Sequence, residues 1–468
     1  MAWEAAAGVE ASTSHGPTHP RKKEDRVGGV MASVRRPLLP ADVCGRLLTP
    51  ALVVWMEAVR HNVRRVLEAT GGPRRWRPHL KTTKMATVWR ELIRHGVRAF
   101  KVATHKELQL LLDVLREQQQ QQNQQQQQQQ QQQEEEGWDV LVAYPVRGPH
   151  LVLVGRAASA CGGEVAVSVL VESAEDAAAL PADVGGFVDV NPGMNRTGMA
   201  VDDARGVGAV VEALAQRGKY RGIHFYEGHL VDVDGAARAE GCRAAYARLV
   251  DLHGLLEAVA HCAEVVTSGT PGFLAALAAD LPARFLGGAT LHRVSPGTVI
   301  FHDGDGEAQN PGLGLRPACM LVARLVSRPD DATVTLDCGS KSLDAASGDP
   351  AATVHCVEQH EDEDEDDDGV GGGGWTRLDN AGDLFAAKHP SEEHLPMRIV
   401  QAAAGGVRAR ERTQALRPGA ALFYLVPKHV CPTVNLAEEA LVVDVDGRVT
   451  VEPVAARAHG PVLLPDRP

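Results

Sequence analysis

The 468-residue chain predicts an α/β fold: a (β/α)8 TIM-like barrel followed by a mainly β C-terminal domain. Three observations carry this. Apolar β-type runs alternate with helical stripes up to about Gly288, short β-like runs separated by turn residues follow, and polar motifs stand just after the barrel runs.

Residues 51–54 form the first strand, and Val59, Val63, Val66 and Leu67 behind them share one helical face. Residues 76–80 read as a second strand, followed by the stripe Met85, Val88, Trp89, Leu92 and Ile93. A third covers 97–102, and Thr104 with Glu107 three residues on resembles a capping box that starts the next helix. Strands at 140–143, 165–171, 187–190, 222–225 and 265–267 complete the barrel, with helices at 204–216 and 236–261 between them. Beyond it, 298–301, 318–326, 333–336, 421–426 and 440–443 read as strands of the second domain. This places a barrel at 45–290 and a β domain at 291–468.

Two polar segments interrupt the pattern. The glutamine-rich insertion 118–136 has nothing to bury, and the acidic, then glycine-rich insertion 358–374 reads as a loop between strands of the β domain. Residues 1–32 are expected to be disordered. Acidic residues at Glu4, Glu10, Glu24 and Asp25 speak against a clean organellar transit peptide.

The formal charge of -12 argues against nucleic acid as a partner, although part of that acidity sits in the insertion. No apolar stretch approaches the roughly 20 residues that span a bilayer. Eight scattered cysteines without CxxC pairs point to a reducing, cytoplasmic setting.

Lys81, in Arg77-Pro78-His79-Leu80-Lys81-Thr82-Thr83-Lys84, is the first candidate for chemistry. At the mouth of a sheet, a lysine buried among apolar walls, with Arg77 and Lys84 as cationic neighbours, has a lowered pKa and can form a Schiff base. Taken alone it also reads as a solvated surface residue. Further motifs follow later strands: Tyr144, Asn191 to Gly198, Tyr226-Glu227-Gly228-His229 and Ser268-Gly269-Thr270-Pro271-Gly272, the last with backbone N–H groups open to a phosphate. A plain turn explains any one of them; together they line one rim. In Pro427-Lys428-His429-Val430-Cys431-Pro432, an extended backbone points His429 and Cys431 to the same side, toward one cation. The same tripeptide also reads as a buried Cys beside a hydrogen-bonded His.

Together with Gly193-Met194-Asn195-Arg196-Thr197-Gly198 and Ser391-Glu392-Glu393-His394, these motifs resemble the D-threonine aldolase and D-serine dehydratase family of alanine-racemase-like proteins, over roughly residues 45–455. The resemblance implies a pyridoxal 5'-phosphate enzyme, usually a homodimer, in which Lys81 bonds the cofactor. It further implies that Arg196 approaches the pyridine nitrogen, Tyr226 lies beside the ring, Gly269 and Thr270 hold the phosphate, and His429 with Cys431 binds a divalent metal (Zn, Mn or Mg). His229 is the candidate base. Thr83 stands where many relatives have His, and Cys431 where the bacterial aldolases have Asp. A His/Cys pair is the dehydratase pattern and favours zinc, whereas the stretches 194–198 and 432–436 resemble the aldolase branch. The expected reaction is retro-aldol cleavage of D-threonine and other D-3-hydroxy amino acids to glycine and an aldehyde. The alternatives are D-serine dehydration, a racemase, or a non-catalytic cofactor carrier.

Overall fold

The computed structural model describes residues 38–129, 137–231, 234–286, 288–360, 375–379, 381–400 and 411–465. Strand β1 (Ala51–Trp55) does not enter the barrel, contrary to the sequence expectation. It lies in the second sheet, antiparallel to β10 (Cys319–Asp330) and parallel to a later strand, with Leu52 opposite both Leu321 and Ala440. An all-apolar run of this length suits the buried centre of either sheet, so its composition does not choose between them.

The barrel is built from β2 (Ala99–Val102), β3 (Trp138–Val142), β4 (Val165–Val171), β5 (Val184–Asn191), the two-residue β6 (Met199–Ala200), β7 (Tyr220–Phe225), β8 (Glu264–Thr267) and β9 (Leu291–Val294). All pair in parallel in the order β2-β3-β4-β5-β7-β8-β9, with β6 beside β5. The segment 76–79 makes single parallel bridges, Trp76 to Val294 and His79 to Lys101, and so stands between the last strand and the first. Thus 76–80 contributes bridges rather than a full strand, and β9 is a barrel strand where the sequence showed no strand, beyond the expected domain boundary at 290/291.

Parallel strands covered on both faces are apolar almost throughout, as β4 illustrates with Val-Ala-Val-Ser-Val-Leu-Val. Val140, Val167, Val169, Val188, Ile223 and Val265 face the surrounding helices, while Leu141, Leu170, Phe187 and Val266 form a smaller cluster of their own. Helix 56–70 ends where Gly71 adopts φ 73°, a conformation that glycine takes without a Cβ penalty. Glu107 N–H donates to Thr104 Oγ1 at 3.1 Å, as the capping motif predicts, while its carboxylate accepts from Ala103 N–H at 2.7 Å. The helix that follows, His105–Gln129, takes up the first part of the glutamine tract, which was expected as an insertion without structure.

The second sheet adds β11 (Thr333–Leu336), β12 (Ala352–His360), β13 (Trp375–Asp379), β14 (Phe385–Ala387), β15 (Leu395–Ile399), β16 (Ala421–Pro427), β17 (Glu439–Val443) and β18 (Val449–Pro453). Its pairings are antiparallel apart from β1 with β17. Residues 358–360, expected as the start of the acidic insertion, are strand within β12; residues 361–374, between β12 and its antiparallel partner β13, lie outside the described residues, as do 1–32 and 130–136. Residues 298–300, expected as a strand, form a 3-10 turn. All eight cysteines are free thiols. No described helix is long and apolar enough to cross a membrane.

Near the strand starts, the barrel is plugged by a buried ion cluster. Arg77, fully buried, donates from Nε and Nη2 to the two Glu264 oxygens at 2.8 and 2.7 Å and from Nη1 to Asp139 at 3.0 Å; Arg293 also donates to Glu264. Burial works against the guanidinium's charge, and the two carboxylates outweigh it. Glu264→Ala leaves two buried cations short of an anion and is expected to destabilise the fold by about 3–5 kcal/mol. A urea-unfolding midpoint equal to wild type would show the cluster to be dispensable.

Candidate active site

At the opposite end, where the barrel strands finish, a cavity of about 370 Å³ opens. That is within the range of small-molecule and cofactor sites. Lys81, Arg196, Tyr226, Gly269, Thr270, His429 and Cys431 all line it. The barrel rim and the second sheet therefore contribute to one site.

Lys81 projects from a turn whose other residues are tied down. The backbone N–H groups of Thr83 and Lys84 both donate to Leu80 O, at 3.1 and 3.2 Å. Thr83 Oγ1 accepts from the Trp89 indole at 2.8 Å, so the hydroxyl at this departure from the family pattern supports the turn from behind. Lys84, at φ 51°, sends its ammonium to Glu107 at 2.7 Å and to Ala456 O at 3.3 Å. Arg77 belongs to the ion cluster below. Neither is the free cationic neighbour expected for Lys81, and Lys81 itself is exposed in the cavity rather than buried among apolar walls. The buried amine of the cavity lining is Lys101, on β2, which sequence reading passed over as one position of an apolar strand.

The stretch after β16 is not extended. His429 precedes the short helix Val430–Leu436, with Cys431 and Pro432 in its first turn, where proline costs no hydrogen bond. The two side chains still share the cavity because Asp303 anchors the turn. Its Oδ2 accepts from Val430 N–H at 2.9 Å and lies 3.2 Å from His429 Nδ1, and its Oδ1 accepts from Gly306 N–H at 2.7 Å. The hydroxyls of Thr82 and Thr298 lie 3.1 and 3.5 Å from Cys431 Sγ. Hydrogen bonds to Asp303 and Cys431 push the His429 imidazole up to about 10. Burial opposes ionisation of the Cys431 thiol, but the hydrogen bond and charge of His429, together with the charge of Lys81, outweigh it and hold the thiol below its usual range. An imidazole and a readily ionised thiol with a carboxylate behind the ring are a donor set that fits a divalent cation. Among the described residues no group of three or more His, Cys, Asp or Glu is placed to hold one, so the pair would leave positions for water or substrate.

Tyr226 is held edge-on by glycines. A Cβ at Gly228 would sit 2.2 Å from the Tyr226 ring, which excludes a side chain there, and one at Gly269 would sit 3.0 Å from it, tighter than an ordinary contact. Arg196 lies 5.0 Å from the ring centroid. Its loop is fastened by Thr197 Oγ1 donating to Asp189 at 2.8 Å, and the other oxygen of Asp189 lies 2.7 Å from Nδ1 of buried His224, a further lining residue. Ser268, at φ 58°, carries a buried hydroxyl without a hydrogen-bond partner. An amine, a flat aromatic face and a floor where a Cβ would strike the Tyr226 ring fit a flat phosphorylated aldehyde such as pyridoxal phosphate.

The candidate base His229 is exposed and packs beside Gly193; its neighbours Gly228 and Val231 line the cavity, and it does not. Tyr144 is likewise exposed and outside the lining, and 391–394 form a turn closed by Ser391 N–H donating to His394 O at 2.9 Å. Asp303, His224 and Lys101 are the site residues that sequence reading missed. Polar residues inside or directly after apolar runs were the available signal.

The family model described as Alanine racemase, N-terminal domain, matches residues 54–303, and that described as Putative serine dehydratase domain matches 318–443. A D-threonine aldolase from Arthrobacter sp. is 27% identical over 329 residues, 66% of this chain and 72% of the relative. The crystal structure of D-threonine aldolase from Filomicrobium marinum matches at a TM-score of 0.65 and 20% identity, covering 88% of this chain and 96% of that one. D-threo-3-hydroxyaspartate dehydratase from Delftia sp. HT23 matches at 0.63 and 20%, covering 89% and 99%; a cysteine-to-alanine variant of such a dehydratase is known in a metal-free form. These structural likenesses speak for the fold. With the first model spanning more than half of the chain and the second most of its later sheet, the chain belongs to the alanine-racemase-like family of D-threonine aldolases and D-serine dehydratases.

Proposed function

We propose that this chain is a pyridoxal-phosphate- and divalent-metal-dependent lyase of D-3-hydroxy amino acids, acting as a D-threonine aldolase on D-threonine and D-allo-threonine. The observation that carries the reading is that Lys81 and the His429/Cys431 pair, about 350 positions apart in sequence, line one cavity. A non-catalytic cofactor carrier has no use for that pair, and a racemase does not need it. The curated aldolase relative supports the first reading. A second reading, a D-serine dehydratase, is favoured by the thiol at Cys431, since a thiolate selects zinc. Assembly as a homodimer is part of the proposal.

Pyridoxal phosphate bound here supplies an electron sink, and a divalent cation supplies a Lewis acid at the substrate's 3-hydroxyl. Lys81 offers the amine that bonds the cofactor. Gly269 and Thr270 would hold its phosphate, Tyr226 would lie beside the ring and Arg196 would approach its nitrogen. His429 and Cys431 would hold the cation, Thr82 and Thr298 steady the sulfur, and Asp303 keeps the imidazole turned so that Nε2 is the free ligand nitrogen. His229 remains a base for the 3-hydroxyl only by way of water or a shift of its turn, because its ring stands outside the lining.

Incubation with D-threonine should yield glycine and acetaldehyde; pyruvate and ammonia from D-serine would establish the dehydratase instead. Lys81→Ala should lose the visible absorption band of the lysine-bound cofactor, and an unchanged spectrum would remove Lys81 from this role. Chelation or His429→Ala should suppress turnover while leaving the band in place. Asp303→Asn should weaken metal affinity by about 10–100-fold, read by competition with a chromogenic chelator; unaltered affinity would mean that Asp303 does not orient the ligand.

A further inference from the structure

Lys101 occupies the third position of β2, whose four residues are all buried. Its backbone is bonded to the segment that carries Lys81: Lys101 N–H donates to Pro78 O at 3.0 Å, and Leu80 N–H to Lys101 O at 2.7 Å. Its side chain is 3% exposed and lines the same cavity as Lys81. The amine stands 5.8 Å from the Tyr226 ring centroid, and no hydrogen bond or ion pair joins it to any described residue. Lys84, the other buried lysine of this region, has its carboxylate in Glu107; Lys101 has none.

The surrounding charge does not compensate. Lys81 and Arg77 stand on the segment beside it, Arg196 beyond β5, His79 and His224 nearby, and Glu227 is the one acid among these groups. Glu227 is itself pushed up to about 7 by burial, and its Oε1 is engaged by the Tyr246 hydroxyl at 2.8 Å. Burial first, then the Lys81 charge, push the Lys101 amine down to about 7. A buried amine is costly without an anion, and the open side of this one is the cavity.

We propose that Lys101 is a ligand-binding residue, whose amine pairs with an anionic oxygen of the molecule in the cavity and takes up a proton as it does so. Two oxygens have this chemistry, the ring oxygen of the cofactor and the carboxylate of the amino-acid substrate, and their identity rests on the function proposed above. The protonated form binds the anion, so affinity is full below about pH 7 and declines as pH rises through it.

The test is calorimetric titration of the full-length chain, in buffers of different ionisation enthalpy. The probes are pyridoxal phosphate, and D-lactate, a carboxylate without an amine, given to the chain with and without the cofactor. At pH 8 wild type should take up about one proton more per bound probe than Lys101→Met, and its D-lactate affinity should fall about tenfold per pH unit above 7. Lys101→Arg, permanently charged, should bind without that pH dependence. An excess confined to the pyridoxal phosphate titration assigns the ring oxygen, and one seen with D-lactate assigns the carboxylate. Equal uptake by wild type and Lys101→Met with both probes overturns the proposal. Should Lys101→Met not fold, wild-type affinities for both probes that stay flat from pH 7 to 9 overturn it equally. Failure of wild type to bind pyridoxal phosphate would sink the lyase reading alone, because D-lactate on the cofactor-free chain still reports on Lys101.

Discussion

The buried carboxylate of Asp303 is the contact on which the site depends. It lies just past the last barrel strand and accepts from Gly306 N–H, from Val430 N–H and beside His429 Nδ1, so one side chain fastens the barrel rim to the turn that carries the candidate metal pair. Without it, Val430 N–H at the start of helix 430–436 loses its acceptor and the His429 ring loses the partner of its Nδ1. A carboxylate behind an imidazole also orients the free nitrogen and raises its basicity.

Around that anchor the barrel divides its charges by height. Near the strand starts, Arg77, Arg293, Glu264 and Asp139 neutralise one another in a closed cluster. At the strand ends, Lys81, Lys101 and Arg196 face the cavity with no carboxylate joined to them by an ion pair among the described residues. The first arrangement is a plug that satisfies itself. The second leaves these three side chains unpaired on the barrel side of a cavity whose acids, Asp303 and Asp305, stand by the His429/Cys431 turn, an arrangement that suits an anionic ligand.

The motifs readable in the sequence were short polar stretches directly after apolar runs, and the structure gathers most of them. Lys81, Arg196, Tyr226, Gly269, Thr270, His429 and Cys431 line one cavity, whereas His229, singled out from the same motif as Tyr226, turns outward by one step of a 3-10 helix. Lys101 escaped notice because a lysine within Ala-Phe-Lys-Val is masked by its strand neighbours. Asp303 escaped because a helix-capping aspartate before glycine has an ordinary local explanation, and it does cap the helix Gly304–Gln309.

Local patterning was enough for the alternation of strands and helices, the change to β structure after the barrel, and the rim motifs, because period and turn chemistry are written in neighbouring residues. Which sheet a strand joins is a matter of long-range pairing. The all-apolar residues 51–55 lie between β10 and β17 in the second sheet, while residues 291–294, Leu-His-Arg-Val with two polar side chains, complete the barrel beside β8. The same holds for charge. A lysine's solvation depends on what the fold packs around it, so only the folded chain made Lys81 the accessible amine, gave Lys84 a carboxylate, and left Lys101 buried without one.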